Sequence, residues 1–175
     1  SSPETRGPRL LPARAAPAPA VAVTGNWSGR LLAAVEKGSF ALIYQPIVNL
    51  HAEPAEFFEV LVLMVGENGE LIAAGEFIPA AEQCGLAPAI DRWVVEQTVS
   101  LLGQWHRDHP RCALPLCAIN LSESSLHDRS LVSHVRECLA KHRLPAESLC
   151  FEMTEGVALG SFSETVRLIS EIRET

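Results

Sequence analysis

The stretch that decides the fold is ALPLCAINLS at residues 113–122, an apolar run that ends in polar side chains. Two other runs have the same form, FFEVLVLM at 57–64 and LCFEMTE at 149–155. Continuous apolar runs of this length are typical of parallel strands, which are buried on both faces of a sheet. Segments with helical spacing of apolar residues lie between them. The alternation predicts an α/β protein whose parallel sheet is covered by helices.

The pattern places four strands and five main helices along the chain. Strands are expected at 40–48, 57–65, 114–121 and 148–154, and helices at 27–37, 76–84, 90–108, 129–142 and 162–174. The segment GENGEL at 66–71 predicts a turn after the second strand. The last helix is expected to begin with a capping box formed by Ser161 and Glu164.

Three of these strands carry an oxygen-bearing side chain. Glu59 is embedded in FFEVLVLM, and a lone glutamate in an apolar strand is costly to bury unless it is paired or bound to a cation. Asn120 and Glu152 lie at or near the ends of the other two strands. Carboxylate and amide oxygens are ligands for hard divalent cations, so the three residues are candidate metal ligands. From the residues alone, a cap of the turn into Leu121 and Ser122 is the favoured explanation of Asn120.

Composition and charge exclude some classes of function. The 175 residues suffice for one domain with a sizeable core, and the net charge of −7 argues against nonspecific DNA binding through phosphate contacts. The five cysteines form no CxxC pair, so a zinc or disulfide framework is not expected. The sequence has neither a run of about 18 apolar residues nor a signal-peptide layout. A cytoplasmic chain is expected, with a membrane anchor elsewhere in the parent protein left open.

Residues 1–25 differ from the rest of the sequence. They are rich in proline and alanine, and prolines at positions 12, 17 and 19 exclude a regular helix. We expect a flexible linker at 1–25 and one domain at 26–175.

Taken in order, these motifs resemble those of the EAL-domain family. The resemblance rests on FALIYQPIVNL at 40–50, FEVLVLM at 58–64, GEFIPAAEQCGLAPAIDRWVVEQ at 75–97, INLS at 119–122 and FEMTE at 151–155. Family members hydrolyse the bacterial second messenger cyclic di-GMP or bind it without hydrolysis. The resemblance implies a modified TIM barrel with its site at the C-terminal ends of the strands. A complete barrel needs about 250 residues, so the chain is expected to hold the N-terminal part, with about four βα units, and to be truncated at its C-terminus.

The resemblance also implies a role for individual residues. It makes Glu59, Asn120 and Glu152 ligands of Mg²⁺ or Mn²⁺ in a complete domain, Leu61 a contact of cyclic di-GMP, and Glu155 a support for a neighbouring loop. Gln45 is expected to form a hydrogen bond either with cyclic di-GMP or with a neighbouring loop.

The sequence departs from the family pattern at two positions. Val60 replaces the alanine of the Glu-Ala-Leu signature, and Leu63 replaces an arginine that contacts the ligand phosphate in the family. The family also has, further along its sequence, an Asp-Asp pair, a lysine, a glutamate and a glutamine without counterparts here. We therefore expect cyclic di-GMP binding without hydrolysis by this chain. The alternatives are an active phosphodiesterase, which forms pGpG in a complete barrel, and a protein-interaction module that binds no nucleotide.

Two partners besides cyclic di-GMP follow from these expectations. In the family, a linker such as 1–25 joins an upstream sensor or cyclase-like domain. A half-barrel is also expected to expose apolar side chains on its inner face and so to form a homodimer or aggregate. The side chains expected there are Val60, Val62, Leu116, Ala118 and Phe151.

Overall fold

The computed structural model describes residues 27–48 and 57–174, which leaves the expected linker at 1–25 outside the described residues. The described part is a mixed sheet covered on one face by helices. The strands are β1 (Phe40–Ile47), β2 (Phe57–Val65), β3 (Leu71–Ala73), β4 (Leu116–Asn120) and β5 (Leu149–Glu152). The helices are α1 (Trp27–Lys37), α2 (Ala74–Gln83), α3 (Ala87–Asp108), α4 (Glu123–Leu126), α5 (Leu131–His142), α6 (Glu155–Gly160) and α7 (Phe162–Arg173), with a 3₁₀ turn at Ala146–Ser148.

The first strand pair corrects the expectation of a wholly parallel sheet. β1 and β2 are antiparallel, with Phe40 opposite Met64 and Ile47 opposite Phe57. Only the nine residues 48–56 separate the two strands, whereas a parallel crossover needs about a dozen or more. The short connection therefore dictates an antiparallel pair, and this spacing was already present in the sequence.

The second edge of β2 is shared by two strands. Residues 57–60 pair in parallel with β4, and residues 63–65 pair antiparallel with β3, a strand that the sequence did not predict. β5 then pairs in parallel with β4, so the order is β1-β2-β4-β5. Among the described residues, no strand lies beside Leu61 and Val62 on this edge of β2, between β4 and β3.

The helices pack against one face of this sheet. α3 is the longest helix, and its buried face includes Ile90, Val95 and Val99, all with no exposed surface. α5 crosses α3 at Gly103, where an added Cβ would lie only 2.8–3.1 Å from atoms of His142. The absence of a side chain at Gly103 thus allows the two helices to approach closely.

The two faces of the sheet carry different side chains. Val60, Val62 and Phe151 point to the helices and pack in or against the core, so their expected position on the inner face is wrong. Leu116 and Ala118 do lie on the face opposite the helices, since they are register partners of Phe57 and Glu59. Alternation along β2 decides this, because neighbouring residues in a strand point to opposite faces.

The C-terminal part differs from the prediction in one detail. Ser161 precedes α7, but its side chain makes no capping hydrogen bond, and Glu164 accepts a hydrogen bond from Ser163 instead. The backbone N–H of Ser161 donates to Val157, which closes α6 directly before α7 begins. The expected capping box is therefore absent because Ser161 also ends the preceding helix. Within the described ranges, no helix combines the length and apolar character needed to cross a membrane.

Candidate functional site

Five of the predicted site residues lie on the same face of the sheet. Gln45 on β1 is the register partner of Glu59, and Asn120 on β4 is the register partner of Glu152 on β5. Leu61 follows Glu59 by two positions and therefore points the same way. We call this surface, opposite the helices, the site face. Asn120 and Glu152 are the last residues of β4 and β5, whereas Glu59 lies near the start of β2, in the part that pairs in parallel with β4.

Asn120 and Glu59 are in direct contact. The Asn120 Nδ2 group donates a hydrogen bond of 3.0 Å to Oε1 of Glu59. Glu59 is half-buried and Asn120 is exposed. The contact orients the Asn120 amide, because its nitrogen points to Glu59 and its oxygen points away. Glu152, half-buried on the next strand, lies on the other side of Asn120 at a strand spacing of about 4.8 Å.

This donor set fits part of the coordination shell of a hard divalent cation. Two carboxylates flank one amide oxygen, and six oxygen ligands or more are usual for such ions. Within residues 27–48 and 57–174, His, Cys, Asp and Glu side chains nowhere gather in threes closely enough to hold a metal ion. The described residues therefore offer three oxygen-bearing side chains of the right chemistry, one of which is an amide.

A cavity of about 330 Å³ adjoins Asn120 and Leu61. It lies between β4 and β3 on the edge of β2, and α2 and α3 close it on the helical side through residues such as Ile78 and Val94. Its lining is mostly apolar, with Asp91 among the exceptions. The cavity gives the site a recess beside its polar groups.

Asp91 is a site-adjacent residue that the sequence reasoning missed. It lies in α3 with only 4% of its surface exposed, and burial raises the pKa of its carboxyl group although hydrogen bonds from Ser122 and Ser125 oppose that shift. The signal was present in the sequence, because Asp91 has helical spacing with the buried residues Val94 and Val95. An acidic residue on an apolar helix face needs partners, and the loop after Asn120 provides them.

The other two predicted positions are less central. Glu155 is exposed in the first turn of α6, and its expected role in supporting a loop stays a prediction. Gln45 is also exposed, at the β1 edge of the site face. Cys150 is half-buried on the site face, because it is the register partner of Ala118. The pKa of its thiol is raised by burial and by the neighbouring charge of Glu152.

Leu63, where the sequence departs from the EAL pattern, also belongs to the site face. It pairs with Ala41 on β1 and with Ala73 on β3, and it is half-buried. A side chain at this position points to the same side as Glu59. The leucine offers no hydrogen bond there.

Comparison with known proteins identifies one family. The EAL-domain family model matches residues 28–174. Cyclic di-GMP phosphodiesterase PdeF of Escherichia coli is 34% identical over 145 residues, which are 83% of this chain and 19% of that protein. Cyclic di-GMP phosphodiesterase PdeB of Shewanella oneidensis is 30% identical over 153 residues, which are 85% of this chain and 17% of that protein. The chain thus spans less than a fifth of the length of these relatives.

A solved structure has the same fold. The EAL domain of FimX from Pseudomonas aeruginosa, bound to c-di-GMP, is 31% identical and superposes with a TM-score of 0.78. The match covers 86% of this chain and 59% of the FimX chain.

Proposed function

The chain belongs to the EAL-domain family, and we propose that it is part of a domain that binds cyclic di-GMP without hydrolysing it. The observation that supports this proposal is the common face shared by Gln45, Glu59, Leu61, Asn120 and Glu152, with Asn120 in contact with Glu59. A half-apolar face with a few convergent polar groups and an adjoining cavity is typical of small-molecule sites.

Charge makes a cation part of this proposal. The site face presents two carboxylates, and a cyclic dinucleotide carries two phosphates. Direct contact between a carboxylate and a phosphate is repulsive because both are negatively charged. A divalent cation supplies positive charge between carboxylate and phosphate oxygens. We propose that Glu59, Glu152 and the Asn120 amide oxygen hold Mg²⁺ or Mn²⁺. In this arrangement, the hydrogen bond from Asn120 to Glu59 keeps the amide oxygen free for the ion.

Binding rather than hydrolysis is favoured by what the site face lacks. Leu63 removes the charge-assisted phosphate contact that an arginine gives in the family, and such contacts are among the stronger hydrogen bonds. In this proposal, the carboxylates on β2 and β5 hold an ion, and the phosphate contact of the arginine is absent.

A second candidate function is metal-dependent hydrolysis to pGpG in a complete domain. The joint presence of Glu59, Asn120 and Glu152 favours it, because these three are the metal ligands that the family pattern requires from this part of the barrel. A divalent ion held by these three residues would lower the pKa of a bound water and would offset the charge that develops on phosphate.

Calorimetric titration of the chain with cyclic di-GMP tests the proposal. It is carried out once in Mg²⁺ and once with a chelator that removes divalent ions. We expect saturable binding that Mg²⁺ strengthens and that Glu152→Gln weakens, while Glu147→Gln, an exposed glutamate just before β5, has no effect. Chromatography of the same samples is expected to show no pGpG. Metal-dependent pGpG lost in Glu59→Ala would establish the phosphodiesterase instead. No binding at any metal concentration would favour a protein-interaction module.

The remaining partners also stay proposals. Ile43 and Ile47 are 43% and 40% exposed on the site face, and such side chains favour a homodimer of the isolated chain. Sedimentation at several concentrations tests this, and a monomer at all of them would contradict it. A cyclic di-GMP ligand implies a cytoplasmic location, and an upstream sensor or cyclase-like domain would provide the input.

A further inference from the structure

The loop that follows Asn120 is held by a buried carboxylate from α3. Oδ2 of Asp91 accepts hydrogen bonds from the backbone N–H of Ser122 at 2.8 Å and from the hydroxyls of Ser122 and Ser125, each at 2.7 Å. The two hydroxyls are themselves 3.1 Å apart. All three side chains are buried, and Ser122 immediately precedes α4. A single carboxylate oxygen thus fixes both ends of the first turn of α4.

The same backbone is held from the opposite side by β5. The N–H of Leu121 donates to the carbonyl oxygen of Glu152 at 2.9 Å, and Leu121 lies between Asn120 and Ser122. The N–H of Glu123 donates to a carboxylate oxygen of Glu82 on α2 at 3.0 Å. Three successive backbone N–H groups after Asn120 therefore have fixed partners on three different elements.

The Asn120 side chain has fewer restraints of its own. It is exposed, and it donates a hydrogen bond to Glu59. The direction in which its amide points therefore depends on the backbone that follows, because an exposed side chain is free to change rotamer unless its backbone and partner hold it. Asp91 and Asn120 also line the same cavity.

We propose that Asp91 is a positioning residue of the site, which holds Asn120 against Glu59 through the Ser122–Ser125 turn. The expected effect of Asp91 on ligand binding rests on the proposed function. Its effect on the orientation of the Asn120 side chain does not. Groups that orient the ligands of a metal typically change metal affinity by about 10–100-fold when they are replaced.

The burial of Asp91 supports a dedicated role. A carboxylate that is 4% exposed costs free energy even when it accepts three hydrogen bonds, and burial is the main reason that the pKa of Asp91 is raised. An apolar residue would fill the same place in α3 beside Ile90 and Val94, but it would leave the donors of the turn without an acceptor. Asp91 therefore serves the turn rather than the core of α3.

The first test is nuclear magnetic resonance of the Asn120 side-chain amide in the ligand-free chain. Asp91→Asn keeps the shape and one acceptor oxygen, and it is expected to shift the Asn120 amide signals. Asp128→Asn is the matched control, because Asp128 lies on the same connection to α5 but binds Arg92 and Ser130 rather than the turn. Ser125→Ala removes one donor only and is expected to give a smaller shift in the same direction. If the Asp91→Asn variant does not fold, the shift of the Asn120 signals in Ser125→Ala tests the proposal instead.

The second test is a double-mutant cycle on cyclic di-GMP affinity in Mg²⁺. Asp91→Asn is expected to weaken binding roughly 10–100-fold on its own and to add nothing in an Asn120→Ala background. Additive effects, or unchanged Asn120 signals in both Asp91→Asn and Ser125→Ala, would overturn the positioning role. If the unaltered chain binds no cyclic di-GMP, the proposed function fails, and the Asn120 signals still decide the role of Asp91.

Discussion

Replacement of Leu63 with arginine is expected to strengthen cyclic di-GMP binding. Leu63 points to the site face, and its register partners on both sides are alanines, Ala41 on β1 and Ala73 on β3. Two small neighbours leave room for a long side chain to lie across them and reach toward the polar groups near Glu59. The substitution therefore adds a cationic group to the face without overpacking the sheet.

The substitution of arginine for Leu63 has two opposing effects, a loss of stability and a gain in affinity for cyclic di-GMP. Leu63 is only half-buried, so its loss costs roughly half of the 1.5–3 kcal/mol of a fully buried leucine, and the methylene stem of arginine recovers part of that. The stability cost is therefore about 1 kcal/mol or less. A hydrogen bond to a charged group contributes about 1.5–3 kcal/mol, which corresponds to roughly 10–100-fold in affinity.

Isothermal titration with cyclic di-GMP in Mg²⁺, at low and moderate salt, measures this effect. Leu63→Met is the neutral control, and Leu63→Lys tests whether bidentate geometry matters, since lysine offers a point charge. The expected order of affinity is arginine, then lysine, then methionine together with leucine. Arginine and methionine variants with equal affinity would refute the assignment of Leu63 to the ligand surface.

Three further predictions concern the metal ligands, the helix packing and pH. Glu59→Gln is expected to lower Mg²⁺ affinity at least about tenfold in direct titration, whereas His134→Ala leaves it unchanged, and equal losses would contradict the ligand assignment. Gly103→Ala is expected to lower the free energy of unfolding in urea, because overpacking against His142 costs about 1–3 kcal/mol and exceeds a helix-propensity gain of up to about 1 kcal/mol. An added Cβ at Gly75 meets no described atom within 4 Å, so Gly75→Ala is expected to leave the free energy of unfolding unchanged or to raise it. A larger loss of stability in Gly75→Ala than in Gly103→Ala would contradict this account of the packing. Burial and neighbouring cations lower the pKa of His142 below its usual 6.5, so its protonation favours the unfolded state. The stability that neutral His142 contributes is present above about pH 6.5 and is lost as the pH falls through the pKa of His142 in the folded state. A His142→Gln variant whose stability has the same pH dependence as the unaltered chain would contradict this prediction.

Local sequence was sufficient to predict the strands that carry the site. β2 spans the predicted residues 57–65, and the predicted runs around Asn120 and Glu152 contain β4 and β5. Apolar runs of this kind form buried strands wherever they lie in the chain, and a single polar residue within one stands out from its neighbours. This pattern points to Glu59 and Glu152 as candidate ligands, and the family resemblance adds Asn120.

What the sequence by itself determined is thus the α/β class, the family and the strand residues with oxygen-bearing side chains. Only the tertiary structure decided that β3 and β4 share one edge of β2 and that a cavity opens between them. It also decided that Val60 faces the helices and that Asp91 holds the turn after Asn120. The physical reason is that local pattern acts over a few residues, whereas register and the partners of a buried carboxylate depend on segments about 30 to 60 positions apart, brought together by packing.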